Sequence, residues 1–176
     1  MITYPNAKIN IGLNVVEKRQ DGYHNIETVF YPIGLCDVLE IEPSEGCTDY
    51  SFSASGIPLS GDPEENLIVK AYRLLQSEYD IPPVDISLIK QIPFGAGLGG
   101  GSADAAFTLK MLNEMFELKI TPRKLEKLAA VLGADCPVFI RNKAVYATGI
   151  GNVFSPAKNI SYSGGIYCFE IGRAHV

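Results

Sequence analysis

The chain has 176 residues, 47% of them hydrophobic and 20% charged, which is the composition of one ordinary globular domain. A net charge of -5 argues against a general nucleic-acid surface, so an anionic ligand has to be held locally by backbone N–H groups and a few lysines. No apolar run approaches the ~18 residues that cross a membrane, and Met1-Ile2-Thr3-Tyr4-Pro5 has no signal-peptide pattern. The expectation is a cytoplasmic protein without a membrane partner.

The first half reads as strands. Ile9, Ile11, Leu13 and Val15 alternate with polar or small residues at a period of two. Asp21-Gly22 signals a turn, Ile26 to Ile33 a second strand, and Val38–Ile41 and Tyr50–Phe52 two shorter ones. The period then changes. Leu67, Ala71, Leu74 and Leu75 share one helical face, preceded by Asp62-Pro63 and the cap candidate Asn66. Val84, Ile86, Leu88 and Ile92 return to strand character, with Ile89 off the alternation. A helix over Ser102–Phe116 follows, marked by Ala105, Leu109, Leu112 and Phe116. Thr121-Pro122 opens a second helix, which buries Leu125, Leu128, Ala129 and Leu132 and ends at Gly133. Val138–Ile140 and Ala144–Ala147 read as further short strands. This order predicts an α+β fold rather than alternating βαβ units. Cys36, Cys47, Cys136 and Cys168 have neither CxxC spacing nor a zinc pattern, so reduced, buried thiols are expected.

Between the strand ending at Ile92 and the helix at Ser102 lie Gly95, Gly97, Gly99, Gly100 and Gly101. Glycine admits positive φ and lets backbone N–H groups approach a ligand without a Cβ in the way. The helix start adds unpaired donors and the positive end of its dipole. Together they suit a polyanion, most plausibly the phosphates of a nucleotide; a purely structural turn is the alternative. The loop is not a P-loop, because Ser102-Ala103 stand where Lys and Ser/Thr belong. Nor does it open an early βαβ unit with a following acidic residue, as a dinucleotide fold requires.

Pro93-Phe94-Gly95-Ala96-Gly97-Leu98-Gly99-Gly100-Gly101-Ser102-Ala103 resembles the central phosphate-binding motif of the GHMP kinases (galacto-, homoserine, mevalonate and phosphomevalonate kinases). Three further segments narrow the resemblance: Ala7-Lys8-Ile9-Asn10-Ile11-Gly12-Leu13, Asp21-Gly22-Tyr23-His24, and Leu132-Gly133-Ala134-Asp135-Cys136-Pro137-Val138-Phe139. All four in this order, over nearly the whole chain to about Tyr167, are similar to the GHMP kinases of the non-mevalonate isoprenoid pathway. Those enzymes act on a cytidine-diphosphate-linked methylerythritol.

The resemblance implies a two-layer α+β domain like domain 2 of ribosomal protein S5. It also implies ATP, Mg²⁺ and transfer of the γ-phosphoryl group to the substrate's 2-hydroxyl. By pattern alone Lys8 is an exposed strand lysine; the family places its ammonium at the transferring phosphoryl group, where a fixed cation stabilises developing charge. Asn10 shares that face, as a strand-edge amide or a contact to the erythritol end. Asp135 is either a turn or cap residue or the base that takes the hydroxyl proton. Tyr23 and His24 are either a half-buried aromatic pair or the cytidine contacts, one stacking and one reading the pyrimidine edge. Asn66 and Lys90 match adenine contacts, with a helix cap and a solvated strand lysine as alternatives. Ser102 is placed to cap the glycine-loop helix, to meet phosphate and Mg²⁺, or to do both, since the readings are compatible, and Ala103 stands where many family members have a second serine.

Residues 1–170 are thus expected to be an N-terminal ATP-binding domain, with the family's C-terminal domain absent and 171–176 a non-native tail. A chain so cut is expected to lack turnover, because the family's active site lies between two domains. A mevalonate-class kinase and an S5-like RNA-binding module remain as rival readings. The partner expected is the small-molecule substrate, with no nucleic acid; the oligomeric state is not legible.

Overall fold

A computed structural model of the protein describes residues 1–157. Cys168 and the tail 171–176 lie outside them. Strands β1 (Ile2–Thr3), β2 (Asn6–Lys18), β3 (His24–Cys36), β4 (Val38–Pro43) and β5 (Tyr50–Gly56) come first. Helix α1 (Leu67–Gln76), β6 (Val84–Lys90), α2 (Gly100–Met115), α3 (Pro122–Leu132), α4 (Cys136–Arg141), β7 (Val145–Thr148) and β8 (Val153–Pro156) follow. They build two four-stranded sheets, one in the order β1-β4-β6-β5 and the other β2-β3-β7-β8. All pairs are antiparallel except β5–β6, which a crossover through α1 makes parallel. One βαβ unit is therefore embedded in the α+β fold that the element order predicts.

The core forms where the first sheet meets the helices. Val84, Ile86 and Leu88 on β6 and Leu39 and Ile41 on β4 are buried against Ile68, Ala71, Tyr72 and Leu75 of α1 and Leu109 and Leu112 of α2. The period of two in β6 is clean, and it carries on to Lys90, which is buried like the apolar residues before it. Asn66 caps α1 by accepting from the Ile68 N–H at 2.9 Å. Thr121 caps α3, with Pro122 behind it.

Three expectations change. Val138–Ile140 is helical, not a strand, and belongs to α4. Five consecutive buried residues, Cys136 to Ile140, suit a strand or a helical turn equally, and Pro137 in the first turn decides for helix. Helix α2 starts two residues before Ser102, at Gly100, with Gly99 at its N-cap in the left-handed region. Gly100 is needed there, since a Cβ would come within 2.8 Å of Ile92 Cγ2 and 2.9 Å of Lys90 Nζ. Finally, of the cysteines only Cys136 is fully buried among the described residues; Cys36 and Cys47 are half-buried, and all three are free.

Candidate active site

The glycine loop lies between β6 and α2. Gly95, Gly97 and Gly99 hold φ of 70°, 71° and 71°, which only glycine adopts cheaply, so the loop's shape is written into those positions. No side chain caps α2. Its leading N–H groups, at the positive end of a sixteen-residue helix, are left for an anion. Ser102 is the third residue of the helix and not its cap, which removes that alternative. Burial pushes the Cys136 thiol, near Ser102, up to about 11. Among the described residues no cluster of three His, Cys, Asp or Glu side chains is placed to hold a metal. The polar side chain at the start of α2 is the Ser102 hydroxyl, an oxygen donor of the kind a hard cation such as Mg²⁺ takes.

Strand β2 runs beside the loop, and its Lys8 N–H donates to the Leu98 carbonyl at 2.9 Å. Pattern alone makes Lys8 exposed, but it is 4% exposed. Its ammonium lies 3.4 Å from Asp135 Oδ2, donates to Asn10 Oδ1 at 2.7 Å and sits 4.7 Å above the Phe30 ring. Gly99 makes room for it, because a Cβ there would stand 3.3 Å from Lys8 Cε. Asp135 precedes α4 but makes no capping hydrogen bond. Its carboxylate is turned to Lys8 and stays partly open to solvent. A buried cation, an accessible carboxylate, an amide and a bed of N–H donors thus converge, from parts of the chain far apart in sequence.

A cavity of about 480 Å³ opens on the other side of the loop, lined by Asn66, Leu67, Leu88, Lys90, Phe94 and Gly101, a size that takes a small ligand. Asn66 both caps α1 and lines this cavity. Lys90 is not the solvated strand lysine of the alternative reading. Its ammonium is buried between Asp37 and Asp104, 2.8 Å from Asp104 Oδ2, while its stem faces the cavity. Burial pushes the Asp104 carboxyl up to about 7 against the pull of Lys90. Asp104 Oδ1 is buried without a partner.

Tyr23 and His24 are not brought to the loop in the same way. They sit at the turn of the β2–β3 hairpin, with His24 paired to Lys18, ten positions along β2 from Lys8. At ~3.3 Å per residue that path is about 33 Å, shortened by bulges. Tyr23 is 60% exposed. The alternation expected for β2 also fails in this arm, since Leu13, Val15 and Val16 are exposed together.

Sequence reasoning gave no role to Asp37 and Asp104. Both had a signal. The period of β6 puts Lys90 on the buried face, and a buried ammonium demands carboxylates. Asp104 is the lone acid in the helical run Ala103-Asp104-Ala105-Ala106.

The family model of the GHMP kinases N-terminal domain matches residues 66–143. A 4-diphosphocytidyl-2-C-methyl-D-erythritol kinase of Bacteroides fragilis is 62% identical over 157 residues, covering 89% of this chain and 57% of the relative. A kinase of the same name from Porphyromonas gingivalis is 54% identical over 164 residues, 93% of this chain and 60% of the relative. The chain therefore spans about three-fifths of the length of these curated relatives. A crystal structure of 4-(cytidine 5'-diphospho)-2C-methyl-D-erythritol kinase matches with a TM-score of 0.73 at 37% identity, over 89% of this chain and 55% of that one. The Methanococcus jannaschii mevalonate kinase matches at 0.68 with 15% identity over 90% of this chain and 56% of that one, a likeness of fold alone.

Proposed function

The chain belongs to the GHMP kinases, and from that premise we propose that its protein transfers the γ-phosphoryl group of ATP to the 2-hydroxyl of 4-diphosphocytidyl-2-C-methyl-D-erythritol, in the cytoplasm. The observation that carries the proposal is the Lys8–Asp135 pair at 3.4 Å beside a glycine loop with unspent N–H donors.

In this reading the cavity on the Asn66–Lys90 side takes the adenine, and the loop from Pro93 to Ala103 takes the phosphates. The acceptor hydroxyl lies against the Lys8–Asp135 pair, within reach of both, with Asn10 orienting it. Asp135 takes the hydroxyl proton as the oxygen attacks the γ-phosphorus and the bond to the ADP oxygen breaks. The Lys8 ammonium, already desolvated and fixed by three partners, faces the charge that develops on the phosphoryl oxygens without having to reorganise. Ser102 would hold a magnesium ion brought in with the nucleotide, which would supply charge neutralisation on the phosphates. Tyr23 and His24 are assigned to the cytidine; their place on an exposed arm suits the far end of an elongated substrate rather than the reacting hydroxyl.

A mevalonate-class kinase would need the same loop but no base-reading aromatic pair, and Asp21-Gly22-Tyr23-His24 favours the cytidine substrate. Titration calorimetry with Mg-ATP, then CDP, then mevalonate separates the readings. Binding of the first two alone is expected. Mevalonate binding without CDP binding would move the assignment, and binding of neither nucleotide would remove it.

A further inference from the structure

The mechanism above leaves two buried carboxylates, Asp37 and Asp104, without a task. We propose that Asp37 is a positioning residue for the phosphoryl transfer, setting the entry of the glycine loop and, through it, the register of the loop against Lys8. The proposal rests on the kinase reading.

Asp37 lies between β3 and β4 and is completely buried. It can touch no substrate, so any role runs through its neighbours. Its Oδ1 accepts from the N–H of Gln91 at 2.6 Å and of Ile92 at 2.8 Å, and its Oδ2 accepts from the Lys90 ammonium. One carboxylate therefore holds three consecutive residues as the chain leaves β6 and enters the loop. Those two N–H groups have left the ladder, and a buried N–H without a partner is costly, whereas a charged acceptor binds it strongly. The Asp37 N–H in turn donates to the Pro5 carbonyl at 2.9 Å, tying the same residue to the start of β2.

From these three residues the constraint reaches the site by two routes. Ile92 packs with Ala7 and Leu98 in a small cluster of its own, and the Leu98 carbonyl holds the Lys8 N–H. A shift of Ile92 therefore moves the backbone on which Lys8 is registered. Lys90 reaches across to Asp104 in α2, and Gly100 leaves just the space that Lys90 Nζ and Ile92 Cγ2 fill, since a Cβ there would meet both. The exit of the loop is thus indexed against the same residues as its entry. Both ends of the glycine-rich segment rest on what Asp37 grips.

The competing view is that Asp37 only balances the Lys90 charge. Asp104 provides the control, because Asp37→Ala and Asp104→Ala each leave Lys90 with one carboxylate, but only the first releases Gln91 and Ile92. Steady-state kinetics of the full-length protein at pH 8 should show the ATP KM of Asp37→Ala raised at least about tenfold, with the acceptor KM within about twofold. Asp104→Ala should raise the ATP KM clearly less than Asp37→Ala does, and Asp37→Asn, with its retained oxygen, should stay within about threefold of wild type for ATP. Equal behaviour of the two alanine variants, or equal loss of ATP and acceptor, overturns the proposal. Should Asp37→Ala not fold, amide hydrogen exchange on wild type and Asp37→Asn decides. Gln91 and Ile92 should be protected as strongly as β6 in both, and fast exchange at those two amides in folded wild type overturns it. Wild type that transfers no phosphate defeats the kinase reading instead, and the exchange measurement still judges Asp37.

Discussion

Alanine at Gly99 should cost the fold clearly more than alanine at Gly97, although both glycines hold φ 71°. The backbone term is common to the two, about 1–2 kcal/mol for a side chain in the left-handed region. The spaces differ. A Cβ at Gly97 meets nothing within 4 Å. At Gly99 it would stand 2.9 Å and 3.1 Å from Phe139 Cζ and Cε2 and 3.3 Å from Lys8 Cε. Phe139 is a fully buried ring in α4 and has no open side to turn to. Overpacking of that kind costs a further ~1–3 kcal/mol. Gly97→Ala should therefore lose about 1–2 kcal/mol and Gly99→Ala about 2–5 kcal/mol in urea unfolding without nucleotide, at unchanged m-value. Because the same Cβ presses on the Lys8 stem, Gly99→Ala should also weaken phosphoryl transfer beyond what its loss of stability explains. Equal losses at the two positions would refute the reasoning, since only the shared backbone term would then be acting.

Asp135→Asn keeps the shape of the site but removes the proton acceptor, so turnover should fall by a factor on the order of 10² or more with ATP and acceptor binding kept; near-normal turnover in the same assay would reduce Asp135 to a residue before α4. Asp104 links stability to pH. Its folded-state pKa of about 7 lies above the reference 3.8, so the folded chain holds a proton that the unfolded one releases. This contribution is complete below about pH 4 and is lost as pH rises through about 7, with an upper bound on the order of 4 kcal/mol. Asp104→Asn should therefore flatten the fall in stability between pH 5 and pH 8, measured as melting temperature against wild type; an unchanged slope would place the titration elsewhere. His24→Ala should weaken binding of CDP by calorimetry much more than binding of ATP, on the scale of the ~1–3 kcal/mol that base stacking is worth. Equal losses would point to a folding defect.

Strands β2 to β7, α1 and α3 were legible because their signals are local, whereas the short β1 and β8 were not read. Asn66 and Thr121-Pro122 act within one turn, and the alternation of β6 survives intact in the folded chain. The glycine loop was legible for the same reason, since φ near 70° leaves glycine as the only inexpensive choice. What stayed hidden depends on topology. Lys8 reads as exposed because its partners come from elsewhere: Phe30 across the hairpin, Asp135 after α3, and the space left by Gly99. The first residues of α2 could not be separated from the loop, as Gly100 and Gly101 are poor helix formers and only Gly100 is demanded by space, where a Cβ would meet Ile92 and Lys90. The buried run from Cys136 to Ile140 shows no periodicity because every residue in it is covered, which conceals a short helix as well as a strand. Asp37 carries no local mark at all; its partners at residues 90, 91 and 92 become neighbours only once β4 and β6 pair.

The central claim is that Lys8 and Asp135, set against the glycine loop, move a phosphoryl group from ATP to the hydroxyl of a cytidine-diphosphate-linked methylerythritol. Its most direct measurement is phosphorus NMR of the full-length protein with Mg-ATP and that acceptor, run beside Asp135→Asn and Lys8→Met. The account predicts a new phosphomonoester resonance on the acceptor's 2-position, growing in step with ADP, and nearly absent with either variant. ATP hydrolysed to inorganic phosphate without that resonance, or the resonance undiminished in both variants, would contradict it.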